Sequence, residues 1–232
     1  MRKFNIKFGL FILVVFVFLF ANVIIAQKVN LGADFVSKYM WRGLEINKAP
    51  NFQPSLSYNN EGFEAGLWGS YAFVENTKDI ASYEIDGYIS YSFGDFGLLL
   101  TDYYFPDAGK AIGKFDGDGA GAHTLELGAS YSGPISIAVY YNFHNDPGNN
   151  IYFEVAYSTA VDEVDLDFFV GGTTGSEDNP AYYGSENLAI INIGVTARKS
   201  LKITEEFVLP VFTSFVLNPK VEAAYMVFGV SL

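Results

Sequence analysis

From Lys28 to the C-terminus the chain alternates apolar and polar residues in segments of roughly ten, each closed by a turn signal, with no stripe at the helical spacing of 3.6. Phe63, Ala65, Leu67, Gly69, Tyr71 and Phe73 fall on one face of such a segment, with Glu64, Gly66, Trp68, Ser70 and Ala72 on the other. The same rhythm runs through Tyr83–Phe93, Thr124–Tyr131, Ile151–Ser158 and Val164–Gly171. A period of two puts all the side chains of one parity on one face of a strand. The chain is therefore all-β, and every strand has one aromatic-rich apolar face.

Twelve strands are expected, over residues 29–42, 51–58, 63–74, 82–93, 96–105, 122–132, 135–143, 150–159, 163–173, 187–198, 206–216 and 220–232. Their connections alternate in length. Asn59 to Gly62, Gly94–Asp95, Gly133–Pro134 and Ala160 to Asp162 are short turns, whereas Gly43 to Pro50, Glu75 to Ala81, Pro106 to Gly121, His144 to Asn149 and Thr174 to Glu186 are long. Short turns at one end and long loops at the other mark an up-and-down transmembrane β-barrel. Lys199 to Glu205 is longer, and Asn218–Pro219 shorter, than this rule wants.

Alternation alone does not say whether the apolar face meets a core or lipid, so a soluble sandwich or lipocalin-like barrel is the competing architecture. Composition decides for lipid. Half of the residues are hydrophobic and only 17% are charged, and the second face is mostly Gly, Ser, Ala, Thr and Tyr. That face suits a narrow wet lumen better than a solubilising surface. The first 26 residues read as a cleaved signal peptide: Arg2, Lys3 and Lys7, then the apolar run Gly9 to Ala21, with cleavage after Ala26. Residues 27–232 then form the barrel, placed in a bacterial outer membrane. Met226, Phe228, Val230 and Leu232 keep one apolar face to the last residue.

Charge and residue usage exclude several activities. The formal net charge is −12, and no run of Lys or Arg could follow a phosphate backbone, which argues against nucleic-acid binding. The chain has no Cys, which removes thiol catalysis and zinc thiolate sites. With only His123 and His144 as imidazoles, a Ser-His-acid phospholipase is the weakest reading. Asp116, Gly117 and Asp118 briefly resemble a calcium loop, but Leu127 stands at the twelfth position where a bidentate Glu belongs.

The string Ser37-Lys38-Tyr39-Met40-Trp41-Arg42-Gly43, followed by Gly62 to Ser70 and Tyr83-Glu84-Ile85-Asp86, closely resembles the TorF-like family of bacterial outer-membrane porins. Tyr103 to Pro106, Ser130 to Pro134 and Ala138 to Tyr141 are similar to its later blocks. What the resemblance implies is a signal-bearing outer-membrane barrel that conducts small solutes, with no cofactor and no catalytic residue.

The expected pore lining is Asp34, Lys38, Arg42, Glu64, Glu84, Asp86, Glu126, Glu154, Asp165, Asp167 and Glu222. Its acidic excess predicts a preference for cations or neutral polar solutes over anions. Arg42 and Glu222 are expected to pair across the closure seam. Tyr39, Trp41, Tyr103, Tyr104, Phe105, Tyr182 and Tyr183 are expected to form headgroup-level aromatic girdles. The Gly-rich segment Pro106 to Gly121 is expected to lie on the external side and either to fold over the pore mouth or, as its glycines favour, to stay mobile. The partners so implied are outer-membrane lipid, lipopolysaccharide and small hydrophilic solutes or cations, with the barrel as a monomer. A non-conducting structural or adhesive barrel with a plugged lumen is the alternative.

Overall fold

A computed structural model describes residues 28–75, 80–180 and 182–232; the expected signal peptide lies outside them. Twelve antiparallel strands close into one barrel: β1 (Val29–Val36), β4 (Asn51–Asn60), β5 (Phe63–Ala72), β6 (Tyr83–Phe93), β7 (Phe96–Tyr104), β8 (His123–Ser132), β9 (Ser136–His144), β10 (Ile151–Val161), β11 (Val164–Thr173), β12 (Ala189–Lys202), β13 (Val208–Asn218) and β14 (Ala223–Ser231). Each strand pairs with its neighbours in sequence, and β1 closes the ring by pairing with both β4 and β14. The closing seam is tied by Leu232 N to Ala33 O (2.9 Å) and Ser37 N to Phe228 O (2.8 Å). Closure removes the unpaired edges that a sheet in lipid could not carry.

The alternation sorts side chains as the sequence predicts. Leu31, Leu56, Leu67, Ile89, Leu98, Ile137 and Phe228 point outward and are exposed, forming an apolar belt around the wall. Asn51, Gln53, Ser70, Thr101, Asn142, Thr196 and Asn218 lie on the opposite parity, turned inward and buried. An outside of this kind is stable against hydrocarbon and not against water. The molecule is a membrane β-barrel.

Tight turns, such as Glu61–Gly62 and Gly94–Asp95, join the strands at one end. Both Glu61 and Gly62 take positive φ (49° and 87°), the conformation of a two-residue turn whose twist matches its strands. At the other end lie the long connections: 37–50, 73–82, 105–122, 145–150 and 174–188. Most expected strand limits fall within about two residues of those found. Lys199 to Glu205 is the exception, because β12 runs on to Lys202 and pairs there with Val208, shrinking the turn to 203–207.

The larger departure is the first strand. It ends at Val36 instead of continuing to residue 42. The chain then forms a separate two-stranded hairpin, β2 (Tyr39–Trp41) and β3 (Leu44–Asn47), before returning as β4 to pair with β1. Arg42 and Gly43 make its tip with φ of 49° and 80°, a geometry that glycine adopts freely and other residues only at a cost. The hairpin turns into the barrel.

Candidate pore and its lumenal hairpin

The hairpin is seated by contacts on nearly every side of the barrel. Tyr39 lies 5.5 Å from Trp68 of β5, ring to ring, and Trp41 packs against Tyr103 of β7 (5.7 Å) and Tyr183 of the 174–188 loop (5.6 Å). Asn47 donates to the carbonyl of Ala81 (3.0 Å), and Ile80 N to that of Ile46 (3.0 Å). At the tip, Asn218 Nδ2 of β13 donates to the carbonyl of Gly43 (3.0 Å). A Cβ at Gly43 would overlap the carbonyl oxygen of Ile191, so backbone meets backbone there. Ile191 itself is turned inward by a bulge in β12, opposite the register shift between Gly171 and Gly172. One extra residue re-aims a side chain into the lumen, and here it makes the floor on which the tip rests.

Arg42 is the anchor of the whole arrangement. Its guanidinium pairs with both carboxylate oxygens of Glu126 on β8, with Nη2 to Oε1 at 2.8 Å, and donates to the Tyr183 hydroxyl at 2.6 Å. The rings of Tyr140 (4.0 Å), Trp41 (4.5 Å) and Tyr152 (4.7 Å) surround it, near enough for cation–π attraction. Tyr103 adds a hydroxyl donor to Glu126 Oε1 (2.9 Å). Burial works against the charge on Arg42, but the two-pronged bond to the Glu126 carboxylate more than offsets it and holds the guanidinium above its ordinary range. Burial likewise pushes the Tyr183 phenol up, so it stays a neutral partner. The wall makes room for this cage: Tyr152 lies flat over Gly171 and Tyr140 over Gly128, where any side chain would overlap the ring.

The remaining expected pore residues divide by height. Glu84 and Asp86 of β6 are buried beside Tyr39. Glu154 accepts from Tyr152 and from Asn192 Nδ2 (3.1 Å). Lys38 pairs with Glu45 of β3 (2.6 Å). Towards the turn end, Glu64 accepts from the Tyr88 hydroxyl (2.7 Å), Asp34 stands in register with Gln53, and Asp165 with Arg198. Arg198 pairs with Asp167, which also accepts from Ser158 (2.6 Å). Below the hairpin a cavity of about 240 Å³ remains, lined by Val36, Gln53, Phe169, Asn192, Phe212 and Ser214 among others.

Three sequence expectations are corrected. Glu222 has φ of 52° in the 219–222 turn and is exposed, so it does not line the lumen, and Arg42 pairs with Glu126 instead. Tyr39, Trp41, Tyr103, Phe105, Tyr182 and Tyr183 cluster around the hairpin rather than in a lipid-facing girdle, because the hairpin carries Tyr39 and Trp41 into the barrel and the other rings pack on them. The 105–122 connection is tied down. His123 is sandwiched between Tyr104 (5.1 Å) and Phe115 (3.9 Å), with Nδ1 on Asp102 (2.8 Å) and Nε2 at the Ile112 carbonyl. Lys110 Nζ caps the carbonyls of Gly119 and Gly121 (2.7 and 2.6 Å).

No family model and no curated protein matches the chain. Solved structures resemble it at low identity. One comes from a study described as "Unveiling the Mechanism Behind the in-meso Crystallization of Membrane Proteins" (9% identity, TM-score 0.45, covering 88% of this chain and 82% of that one). Another is the anion-selective porin from Comamonas acidovorans (15% identity, TM-score 0.34, covering 88% and 72%).

Proposed function

We propose that the protein is a bacterial outer-membrane porin of narrow bore, monomeric in lipid and lipopolysaccharide, passing small cations and neutral polar solutes, with the hairpin 39–47 as its constriction. The observation that carries this reading is the acidic surplus of the lumen. Lys38, Arg42 and Arg198 each lie against a carboxylate, Glu45, Glu126 and Asp167. Asp34, Glu64, Glu84, Asp86, Glu154 and Asp165 share the inward parity as well. A one-signed wall of low dielectric focuses potential and concentrates counter-ions. Purified protein in planar bilayers under a salt gradient tests it: the reversal potential should have the sign of cation preference, and anion preference would overturn the proposal.

The hairpin also favours a second reading, a non-conducting barrel whose loops do the work, since it crosses the loop-end lumen to β8. Bilayers that stay silent after verified insertion would decide for it.

A further inference from the structure

At the loop end a pocket of about 280 Å³ lies between the hairpin and the wall of β6 and β7. The rings of Tyr39, Trp41, Tyr103, Phe105 and Tyr182 line it, and the carboxylate of Glu84 stands among them. Glu84 is 3% exposed and Asp86, two residues along the same inward face, 7%; Ile80 at the rim is 64% exposed. Aromatic ring faces present negative potential, and a buried carboxylate adds to it; Trp41 already carries the Arg42 guanidinium on its ring, so Tyr39, Tyr103, Phe105, Tyr182 and Glu84 supply this potential. Such walls repel an anion. They also discriminate among cations, because a metal ion or a primary ammonium would surrender strong hydration to apolar rings that cannot replace it. A cation whose charge is spread over methyl groups loses little water and fits both the rings and the acid.

We infer that this pocket is a binding site for a small quaternary-ammonium cation, held by the aromatic walls and oriented by Glu84. It goes beyond conduction, since the site is complete whether or not the lumen passes ions. The hairpin supplies Tyr39 and Trp41, so an occupant also braces the element that narrows the lumen.

The chain has only two tryptophans: Trp41 lines the pocket and Trp68 packs on Tyr39, so intrinsic fluorescence reports on it. Folded protein in detergent is titrated with choline chloride, with the uncharged isostere 3,3-dimethyl-1-butanol, and with sodium chloride at matched ionic strength. Choline should give a saturable change at a concentration at least tenfold below any response to the alcohol, and sodium chloride none. Glu84→Gln should weaken choline at least tenfold and leave the alcohol unchanged. Tyr182→Leu, outside the barrel strands, should weaken choline severalfold and serves where Glu84→Gln does not fold. Equal responses to choline and alcohol, no saturable response, or unchanged choline affinity in a folded variant would overturn the inference. Silent bilayers combined with saturable choline binding would sink the porin proposal and leave this one standing.

Discussion

Arg42 and Glu126, 84 residues apart in sequence, meet inside the barrel through a two-pronged ion pair. β8 lies five strands from β1 by one route round the ring and seven by the other, so the pair spans the lumen. It is the contact that ties the hairpin across the lumen. Arginine suits it because its planar fork matches a carboxylate while its faces accept aromatic rings.

Arg42→Ala should therefore cost more than the net worth of the pair, since it strands Glu126, which is 1% exposed on its side chain, without its cation. Removing one partner of a buried pair costs about 3–5 kcal/mol. Replacing both, as Arg42→Met with Glu126→Leu, should cost clearly less. Urea unfolding in lipid vesicles checks this, and a double variant as unstable as the single one would show that the pair is not what matters.

Gly43→Ala attacks the same device from the backbone. The new methyl meets the Ile191 carbonyl and must sit at φ of +80°. Left-handed backbone costs a non-glycine residue roughly 1–2 kcal/mol before any clash is counted. The tip should lift from its floor while the barrel stays closed. Trp41 should then emit further to the red and single-channel conductance should rise; unchanged emission would count against a seated tip.

The barrel was readable because each strand repeats a two-residue period between turn signals. The hairpin was not, since Tyr39, Trp41, Leu44 and Ile46 keep a similar rhythm whether they face lipid or lumen. A signal did exist: Arg42–Gly43 is a two-residue turn with glycine second, a place where a chain reverses. The Ile190–Ile191 doublet likewise breaks alternation, as a bulge must. The partner of Arg42 left no trace, because a period shows which face a residue takes and not which carboxylate across the barrel it meets. Asp102 and His123 show the same limit: both sit on the outward parity, and only the fold of residues 105–122 over them buries His123 and half-covers the Asp102 carboxylate that pairs with it.

His123→Ala should loosen that fold. It deletes the ring stacked between Tyr104 and Phe115 and leaves Asp102 without its partner. An unmet buried polar group costs about 1–3 kcal/mol; with the Asp102 carboxylate 33% exposed, water meets part of that loss, so tryptic cleavage after Lys110 and Lys114 should speed up roughly 5- to 10-fold while the barrel resists. Rapid cleavage of the unmodified protein would show the loop free instead.

Ion selectivity should respond to position, not to the number of acids removed. Glu222→Gln takes one charge from an exposed turn outside the lumen, and at physiological salt a surface charge is screened within roughly 8 Å; reversal potential should not move. Glu64→Gln with Asp34→Asn takes two from the inward face below the hairpin, where the low-dielectric wall screens less. Cation preference should fall in this pair alone. Parallel measurements under one salt gradient read the difference, and equal shifts in the two variants would mean that surface charge, not the lumen wall, sets the selectivity.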